Sequence, residues 1–336
     1  MSGTNDFLPL AVGGSANVID QATFAALSSL LANGFQSGVA NSAQINKIFR
    51  QSSVVASAIA QIIADNNVNA TDDGNVSTFK TNLMAALGAQ LAISNASVQG
   101  VFKNLQASAT GASASISISA DEIIVENSSN AYKTLRSVAL TVAGTANGAN
   151  GLDTGSLATN TWYSLWVIHN GTTTAGLLSL SATAPTMPGG YTHKARVGWI
   201  RADASGNKYP LAFKQNGRSV QYVVAAGTNV AATPIMATGT AGNITTPTYV
   251  AVGISAFVPP TASRIRFTFA SSNNLGGLVA PNGSYGNAYS LINPAYYYTG
   301  SAGGVATSID MILESTNIYW ASTGAALAAN GWEDNL

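Results

Sequence analysis

The chain has 336 residues, enough for two or three domains at about 100–200 residues per domain. Basic and acidic residues are equal at 14 each, and only 8% of the chain is charged, against about 25% in ordinary soluble proteins. This balance argues against nucleic-acid binding and against a polybasic membrane anchor. With no cysteine and two histidines, we expect no disulfide, no metal and no cofactor. No apolar run of about 18–20 residues and no secretory signal is seen, so no membrane insertion is expected.

Residues 1–95 are predicted to form a helical domain. Their apolar residues recur at helical spacing in three stretches, which predicts helices over about 21–33, 42–64 and 76–91. Asp20 is the expected cap of the first helix, and Asn33-Gly34 is expected to end it. Asp73 or Asn75 is expected to cap the third.

Residues 96–227 are predicted to form a first β module, because the apolar pattern changes there to a period of two. The alternation is clearest in Ser115-Ile116-Ser117-Ile118-Ser119. Asn216-Gly217 lies between two short apolar runs and predicts a hairpin. The Ala/Ser/Gly-rich stretch 107–114 is interpreted as a linker. Further strands are predicted over 138–142, 162–168, 177–180, 195–200 and 220–224.

Residues 228–336 are predicted to form a C-terminal β tip domain. Apolar or alternating runs predict strands over 249–257, 264–269, 308–313 and 317–320. Between them, 271–304 is rich in Gly, Asn and Tyr and is predicted to be mainly loop. Short strands at long spacing favour an antiparallel sandwich. The expected fold class is therefore α+β, mainly β: an N-terminal helical domain followed by antiparallel β-sandwich or jelly-roll-like modules.

Short motifs spread over most of the chain carry a family resemblance. They include Asn5-Asp6-Phe7-Leu8-Pro9, Phe35-Gln36-Ser37-Gly38, Asn46-Lys47-Ile48-Phe49-Arg50-Gln51-Ser52-Ser53, Trp162-Tyr163-Ser164-Leu165-Trp166-Val167-Ile168 and Gly331-Trp332-Glu333-Asp334. In these motifs the chain resembles bacteriophage tail-fibre and tail-tip receptor-binding proteins. The resemblance implies an intertwined homotrimer on the phage tail, made in the bacterial cytoplasm and acting outside the cell.

The same resemblance implies two kinds of partner. The N-terminal part would attach to baseplate or neck proteins, and the C-terminal β modules would bind a host surface glycan or an outer-membrane protein. The candidate attachment residues are Phe7, Leu8, Pro9, Phe35, Phe49 and Arg50. A collar, neck or baseplate fibre that binds no receptor fits the same composition and stays open as an alternative.

Aromatic residues are the main candidates for receptor binding. Flat aromatic faces suit sugar C–H surfaces, and nearby amides suit sugar hydroxyls. The candidates are Tyr285, Tyr289, Tyr296, Tyr297 and Tyr298, close in sequence to Asn282, Asn287 and Asn293. Packing in a core or a subunit interface is the alternative for this tyrosine run. Arg264 and Arg266 share one face of a predicted strand and would suit an anionic sugar or phosphate, unless they form an ordinary solvated face.

No catalytic residue is assigned from the sequence. Glycoside hydrolysis needs two carboxylates flanking one bond, and Glu122, Glu126 and Asp310 are the residues that a polysaccharide-degrading tail spike would use. Solvated carboxylates at strand edges and turns explain the same residues more simply. No repeat of the β-helix type accompanies them, so a binding role without enzymatic activity is preferred.

Overall fold

The computed structural model describes residues 3–94, 99–272, 275–287, 290–299 and 304–336, with the side chains of 90–94 left undescribed. The fold is mainly β, with one large mixed sheet, and every described helix lies before residue 95. The chain divides into two compact units, Met1–Ala96 and Ser97–Leu336. We call them the helical unit and the β unit. The division lies one residue beyond the boundary expected from the sequence.

Four helices form within residues 3–94 of the helical unit: α1 (Gln21–Ala25), α2 (Ser28–Asn33), α3 (Ser42–Asp65) and α4 (Val76–Ser94). Asp20 caps α1 as expected, because its carboxylate accepts a hydrogen bond from the Thr23 amide. Asn75 caps α4 in the same way. The prediction of one continuous helix over 21–33 is wrong. It is broken into α1 and α2 because Leu27 adopts ψ of 61°, outside the helical region.

A small core holds the helical unit together. Ala60 and Ile63 of α3 are fully buried and pack with Ala70 in the following loop. Phe7 lies against Phe79 of α4, with ring centroids 5.2 Å apart. The extended N-terminal segment is therefore part of this core and not a free arm.

The described residues of the β unit form seventeen strands. In chain order they are β1 (Phe102–Lys103), β2 (Gln106–Ala109), β3 (Ser115–Glu126), β4 (Tyr132–Ala143), β5 (Gly151–Leu152), β6 (Trp162–His169), β7 (Thr174–Ser179), β8 (His193–Arg201), β9 (Phe213–Asn216), β10 (Ser219–Tyr222), β11 (Ile235–Ala241), β12 (Val250–Gly253), β13 (Ala262–Ser271), β14 (Gly277–Ala280), β15 (Tyr297–Thr299), β16 (Val305–Ile312) and β17 (Asn317–Asp334). Among the described strands, only the pairing of β5 with β7 is parallel.

The first half of the sheet is built on β3, which pairs with β4 along its whole length. The predicted alternation is confirmed there, since Ile116 and Ile118 are buried and the intervening serines are exposed. The linker interpretation of 107–114 is wrong in its first part. Residues 106–109 form β2, which lies between β3 and β9 and buries Ala107 and Ala109. Small side chains fit this crowded position, so the composition does not signal a flexible segment.

The predicted hairpin is confirmed and joins the two halves of the sheet. β9 and β10 pair with Asn216 opposite Ser219, and Gly217 between them has φ of 59°. A positive φ at the first central position is what a type II′ turn needs. β9 also pairs with β2, and β10 pairs with β17. One sheet therefore crosses the domain boundary predicted at 227/228, and the structure shows one compact unit there.

The second half is organised around β17, an 18-residue strand. It pairs with β13 and β14 along one edge and with β10, β11 and β12 along the other. The prediction ended this strand at residue 320, and 271–304 was predicted to be mainly loop although β14 and β15 lie within it. β17 ends in the core, where Trp332 packs against Trp162 and Tyr222, with ring centroids 5.3 and 5.5 Å apart.

The end of β17 is also held by a buried polar cluster, which we call the Asp334 network. The Asp334 carboxylate accepts hydrogen bonds from Arg196 of β8, at 2.6 Å, and from the Thr261 hydroxyl. That hydroxyl in turn accepts from Arg196 and from Trp199 Nε1. A hydroxyl has one donor and two acceptor sites, so the Thr261 hydroxyl is fully used. Through this network, the loop between β12 and β13 is held against both β8 and β17.

Candidate functional site

The structure divides the tyrosine run into a pair in the loops and a pair in a strand. Tyr285 and Tyr296 contact each other edge to face, with ring centroids 5.6 Å apart; Tyr296 is 41% exposed and Tyr285 is half-buried. Tyr297 and Tyr298 belong to β15, where they lie opposite Val279 and Leu278 of β14. Tyr289 lies outside the described residues. The four described tyrosines therefore do not share one face of the β unit.

Tyr297 is mainly a packing residue. Its ring lies 5.7 Å from that of Phe269, a fully buried residue of β13. Neighbouring residues of a strand point to opposite faces, so Tyr298 lies on the other side of β15 and is half-buried. Among the described tyrosines of the run, Tyr296 is the one that is exposed, with Tyr285 beside it, as the receptor-binding hypothesis needs.

The asparagines near the tyrosines hold the loops in place. The side-chain amide of Asn293 donates to the Ser284 carbonyl at 2.7 Å, and that of Asn287 donates to the Thr245 carbonyl at 3.2 Å. Asn282 donates to the Glu314 carboxylate at 2.7 Å. These amide donors are therefore engaged within the protein, which gives the loops a defined shape.

Arg264 and Arg266 lie on one face of β13 as predicted, opposite the buried Ile265 and Phe267. Arg264 forms an ion pair with Asp310 of β16 at 2.8 Å. Arg266 donates to the Ser219 hydroxyl at 2.6 Å and to a backbone carbonyl of β17. Both guanidinium groups have partners inside the sheet, so the structure favours the interpretation of this face as an ordinary strand face.

The candidate attachment residues are also divided. Phe7 is packed against Phe79, as described above, and Arg50 is half-buried. The others remain exposed on the helical unit: Leu8, Pro9, Phe35 and Phe49. Phe7 and Phe79 also line a cavity of about 350 Å³ with Ala56, Ile59 and Val76.

The two histidines lie directly opposite each other in β6 and β8. The ring centroids of His169 and His193 are 6.4 Å apart. Burial lowers the pKa of both rings, and the ammonium group of Lys133 lowers it further. Both rings are therefore neutral at pH 7. Within the described residues, no three His, Asp or Glu side chains come together as a metal site.

The carboxylates considered for hydrolysis have structural contacts. Glu122 pairs with Arg136 across β3 and β4, and Asp310 pairs with Arg264. Asp121 accepts a hydrogen bond from Asn104 at 2.6 Å. These contacts match the simpler interpretation of these groups as strand-edge carboxylates.

A cavity that the sequence did not predict lies at one end of the β unit. Its volume is about 410 Å³. It is formed by the first residue of β6, the β12–β13 loop and the β16–β17 loop. The lining residues are Trp162, Ile254, Ser255, Val258, Pro259, Pro260, Ala262, Leu313, Glu314, Ser315 and Thr316. We call it the Trp162 cavity. No motif in the sequence pointed to it, because its lining comes from separate segments of the chain.

No protein-family model matches the chain, and no curated protein and no solved structure matches it either. Across the residues that the structure describes, no helix has both the length and the apolar character needed to cross a membrane.

Proposed function

We propose that this protein is a phage tail fibre, which attaches to the virion through its helical unit and binds a host cell-surface receptor through its β unit. In this proposal three copies form an intertwined trimer, and their β units are sandwich or jelly-roll-like modules. The protein is made in the bacterial cytoplasm and acts outside the cell. Its receptor is a surface glycan or an outer-membrane protein, and its role is binding without catalysis.

The distribution of exposed apolar residues carries this proposal. Among the described residues, twelve of the 21 exposed large apolar side chains lie in the helical unit, which is much the smaller of the two units. Exposed apolar surface of this kind is typical of an interaction site. A unit specialised for assembly, joined to a larger β unit, is the organisation that a fibre needs.

One face of α4 shows this surface in detail. Val76, Met84 and Leu87 are exposed, and at 100° per residue they fall within about 80° of one another. The exposed Lys80 lies between Val76 and Met84 on the same face, so this face is apolar except for one flexible charged side chain. An apolar face on a surface helix normally faces a core. Here the described residues of the chain leave it uncovered, and the same helix of a second copy is the occupant we propose.

Light scattering on the full-length chain tests this assembly. We expect a mass three times the monomer's 34.1 kDa, and we expect Met84→Lys to lower it. Ile312→Lys is the matched control, because Ile312 is similarly exposed but belongs to the β unit. A monomeric wild-type protein would refute the trimer, and equal effects of both variants would refute the α4 contact.

Binding of the fluorescently labelled full-length chain to a panel of bacterial strains tests the receptor role. We expect strain-dependent binding that excess unlabelled protein displaces. A trimer that binds no strain would favour the collar or baseplate alternative. Release of reducing ends from host polysaccharide, lost in Glu122→Gln or Asp310→Asn, would instead favour the degrading spike.

A further inference from the structure

We propose that the Trp162 cavity is a binding site for an uncharged or amino-substituted pyranose ring. This assignment rests on the proposed receptor-binding function and gives its ligand class. It also moves the receptor site away from the tyrosine run. At about 410 Å³, the cavity falls within the range of small-molecule sites.

The first argument is the rigidity of the aromatic wall. Trp162 Nε1 donates to the Ser255 carbonyl at 2.8 Å, and the indole lies edge to face against Trp332. The ring is therefore fixed by the protein before any ligand arrives. An aromatic side chain that is already ordered loses little conformational freedom on binding. Pro259 and Pro260 extend this stiff apolar wall.

The second argument is the set of polar groups that share the cavity with the aromatic ring. Glu314, Ser315 and Thr316 line the cavity together with Ser255. The Glu314 carboxylate is oriented by the Asn282 amide at its Oε2 atom, and its Oε1 atom accepts no hydrogen bond from the described residues. A carboxylate accepts strongly from hydroxyl or ammonium donors. A pyranose presents C–H faces and hydroxyl edges, which match the apolar and the polar residues of this lining.

The third argument is charge. Glu314 is the one ionisable residue among those that line the cavity, and no Lys, Arg or His belongs to the described lining. A uronic or sialic acid would bring its carboxylate towards another carboxylate, which is unfavourable. The cavity therefore selects against acidic sugars, whereas the arginine pair of β13 had suggested an anionic ligand.

The loops that form the cavity are fixed by hydrogen bonds to each other and to neighbouring segments. Thr261 lies between two lining residues, Pro260 and Ala262, and belongs to the Asp334 network. The Ile254 amide donates to the Thr316 carbonyl at 3.1 Å, which ties the β12–β13 loop to the β16–β17 loop. The cavity is thus formed in the free protein, as small-molecule sites commonly are.

Saturation-transfer NMR on the full-length chain tests the assignment. The probes are methyl glucoside, methyl galactoside, methyl N-acetylglucosaminide, glucosamine and methyl glucuronide. We expect saturation of the ring protons of at least one uncharged or amino sugar. We expect the glucuronide to bind about fivefold more weakly than the glucoside, from repulsion by one carboxylate at about 4 Å in water. In Glu314→Gln this difference should disappear.

Three further variants separate the cavity from general effects. Glu314→Ala should weaken saccharide binding. Asp121→Ala should leave it unchanged, although it breaks a similar exposed Asn–carboxylate hydrogen bond, with Asn104. Thr316→Val, at an exposed position, provides a second variant if the first one disturbs folding. Saturation of none of the probes, or equal binding by wild type, Glu314→Ala and Thr316→Val, would overturn the assignment.

The cell-binding and saccharide-binding experiments distinguish failure of the proposed cavity site from failure of the proposed fibre function. Strain-dependent cell binding with no saccharide binding would leave the fibre function standing and reject the cavity as its glycan site. Saccharide binding by a monomer that attaches to no strain would support the cavity and reject the fibre. Weaker cell binding in Glu314→Ala, together with weaker saccharide binding, would support both.

Discussion

Replacing Arg196 by methionine removes the only cation of the Asp334 network and tests whether that network holds the end of β17. The Asp334 side chain is fully buried and that of Arg196 is 12% exposed. Burial raises the pKa of the Asp334 carboxyl, while Arg196 and the Thr261 hydroxyl oppose this shift. Without the guanidinium, the carboxylate keeps one short hydroxyl donor but loses its counter-charge.

The expected effect is large because a buried charge is left without its partner. Breaking a buried ion pair in this way costs about 3–5 kcal/mol in the free energy of unfolding. Arg136→Met is the matched control, since the Arg136 side chain is 70% exposed in its pair with Glu122. Exposed pairs contribute about 0–1 kcal/mol. All five tryptophans lie in the β unit, so urea unfolding followed by tryptophan fluorescence reports on that unit.

Two additional measurements test how the loss of stability depends on pH and whether Arg196 and Asp334 are energetically coupled. A carboxyl with a raised pKa in the folded state binds its proton there before the unfolded chain does. The loss in Arg196→Met should therefore shrink as the pH falls towards 3.8. The double variant Arg196→Met/Asp334→Asn should lose less stability than Arg196→Met alone. Equal losses of under about 1 kcal/mol in Arg196→Met and Arg136→Met would refute this account of the network.

Two other predictions concern the β unit. A Cβ atom at Gly331 would lie 2.0 Å from the Val220 carbonyl oxygen, so Gly331→Ala should lower the free energy of unfolding by about 1–3 kcal/mol. Gly189→Ala, where the added atom meets nothing within 4 Å, should be nearly neutral, and equal losses in urea unfolding would contradict the packing argument. Burial lowers the pKa of His169 and His193 in the folded protein, so the unfolded chain binds protons first as the pH falls through 6.5. The free energy of unfolding should therefore fall with pH, by less than about 2.7 kcal/mol per pH unit for the two groups. His169→Gln should reduce this slope between pH 7.5 and 5.5, and an unchanged slope would rule the pair out as its source.

Elements with strong local patterns were predicted well from the sequence. The bounds of α3 were predicted to within one residue at each end, because the apolar stripe of a helix is a local signal. The alternation in β3 and the Asn216-Gly217 hairpin are local signals of the same kind. In each case the information lies within a few residues of the chain.

Elements that depend on distant partners were missed. Residues 321–334 contain mainly Ala, Gly and Asn, which have low β propensity. They form a strand because partners on both edges bind their backbone, with Ala329 opposite Phe267 on one side and Leu327 opposite Ala237 on the other. Residues 106–109 form β2 for the same reason. Such pairings join segments far apart in the chain, and a window of a dozen residues does not contain them.

The candidate sites were also difficult to predict, because they too depend on residues that are far apart in the sequence. Consecutive tyrosines look like a cluster in the sequence, but strand geometry places Tyr297 and Tyr298 on opposite faces of β15. The Trp162 cavity has no single motif, because its walls come from residue 162, from 254–262 and from 313–316. The identity of each lining residue was visible, but their proximity is a property of the sheet.

In the proposed fibre, the fixed loops and the low charge of the chain favour attachment through several weak sites that act together. The amides of Asn282, Asn287 and Asn293 are engaged in holding loops, so they are not free to adapt to a ligand. Preformed sites bind with a smaller entropic loss, but a single small site with one carboxylate remains weak. In the proposed trimeric fibre, joining three such sites would raise the effective concentration of each without any new contact. Because few ions take part, attachment in this mode depends more on the number of copies than on the salt concentration.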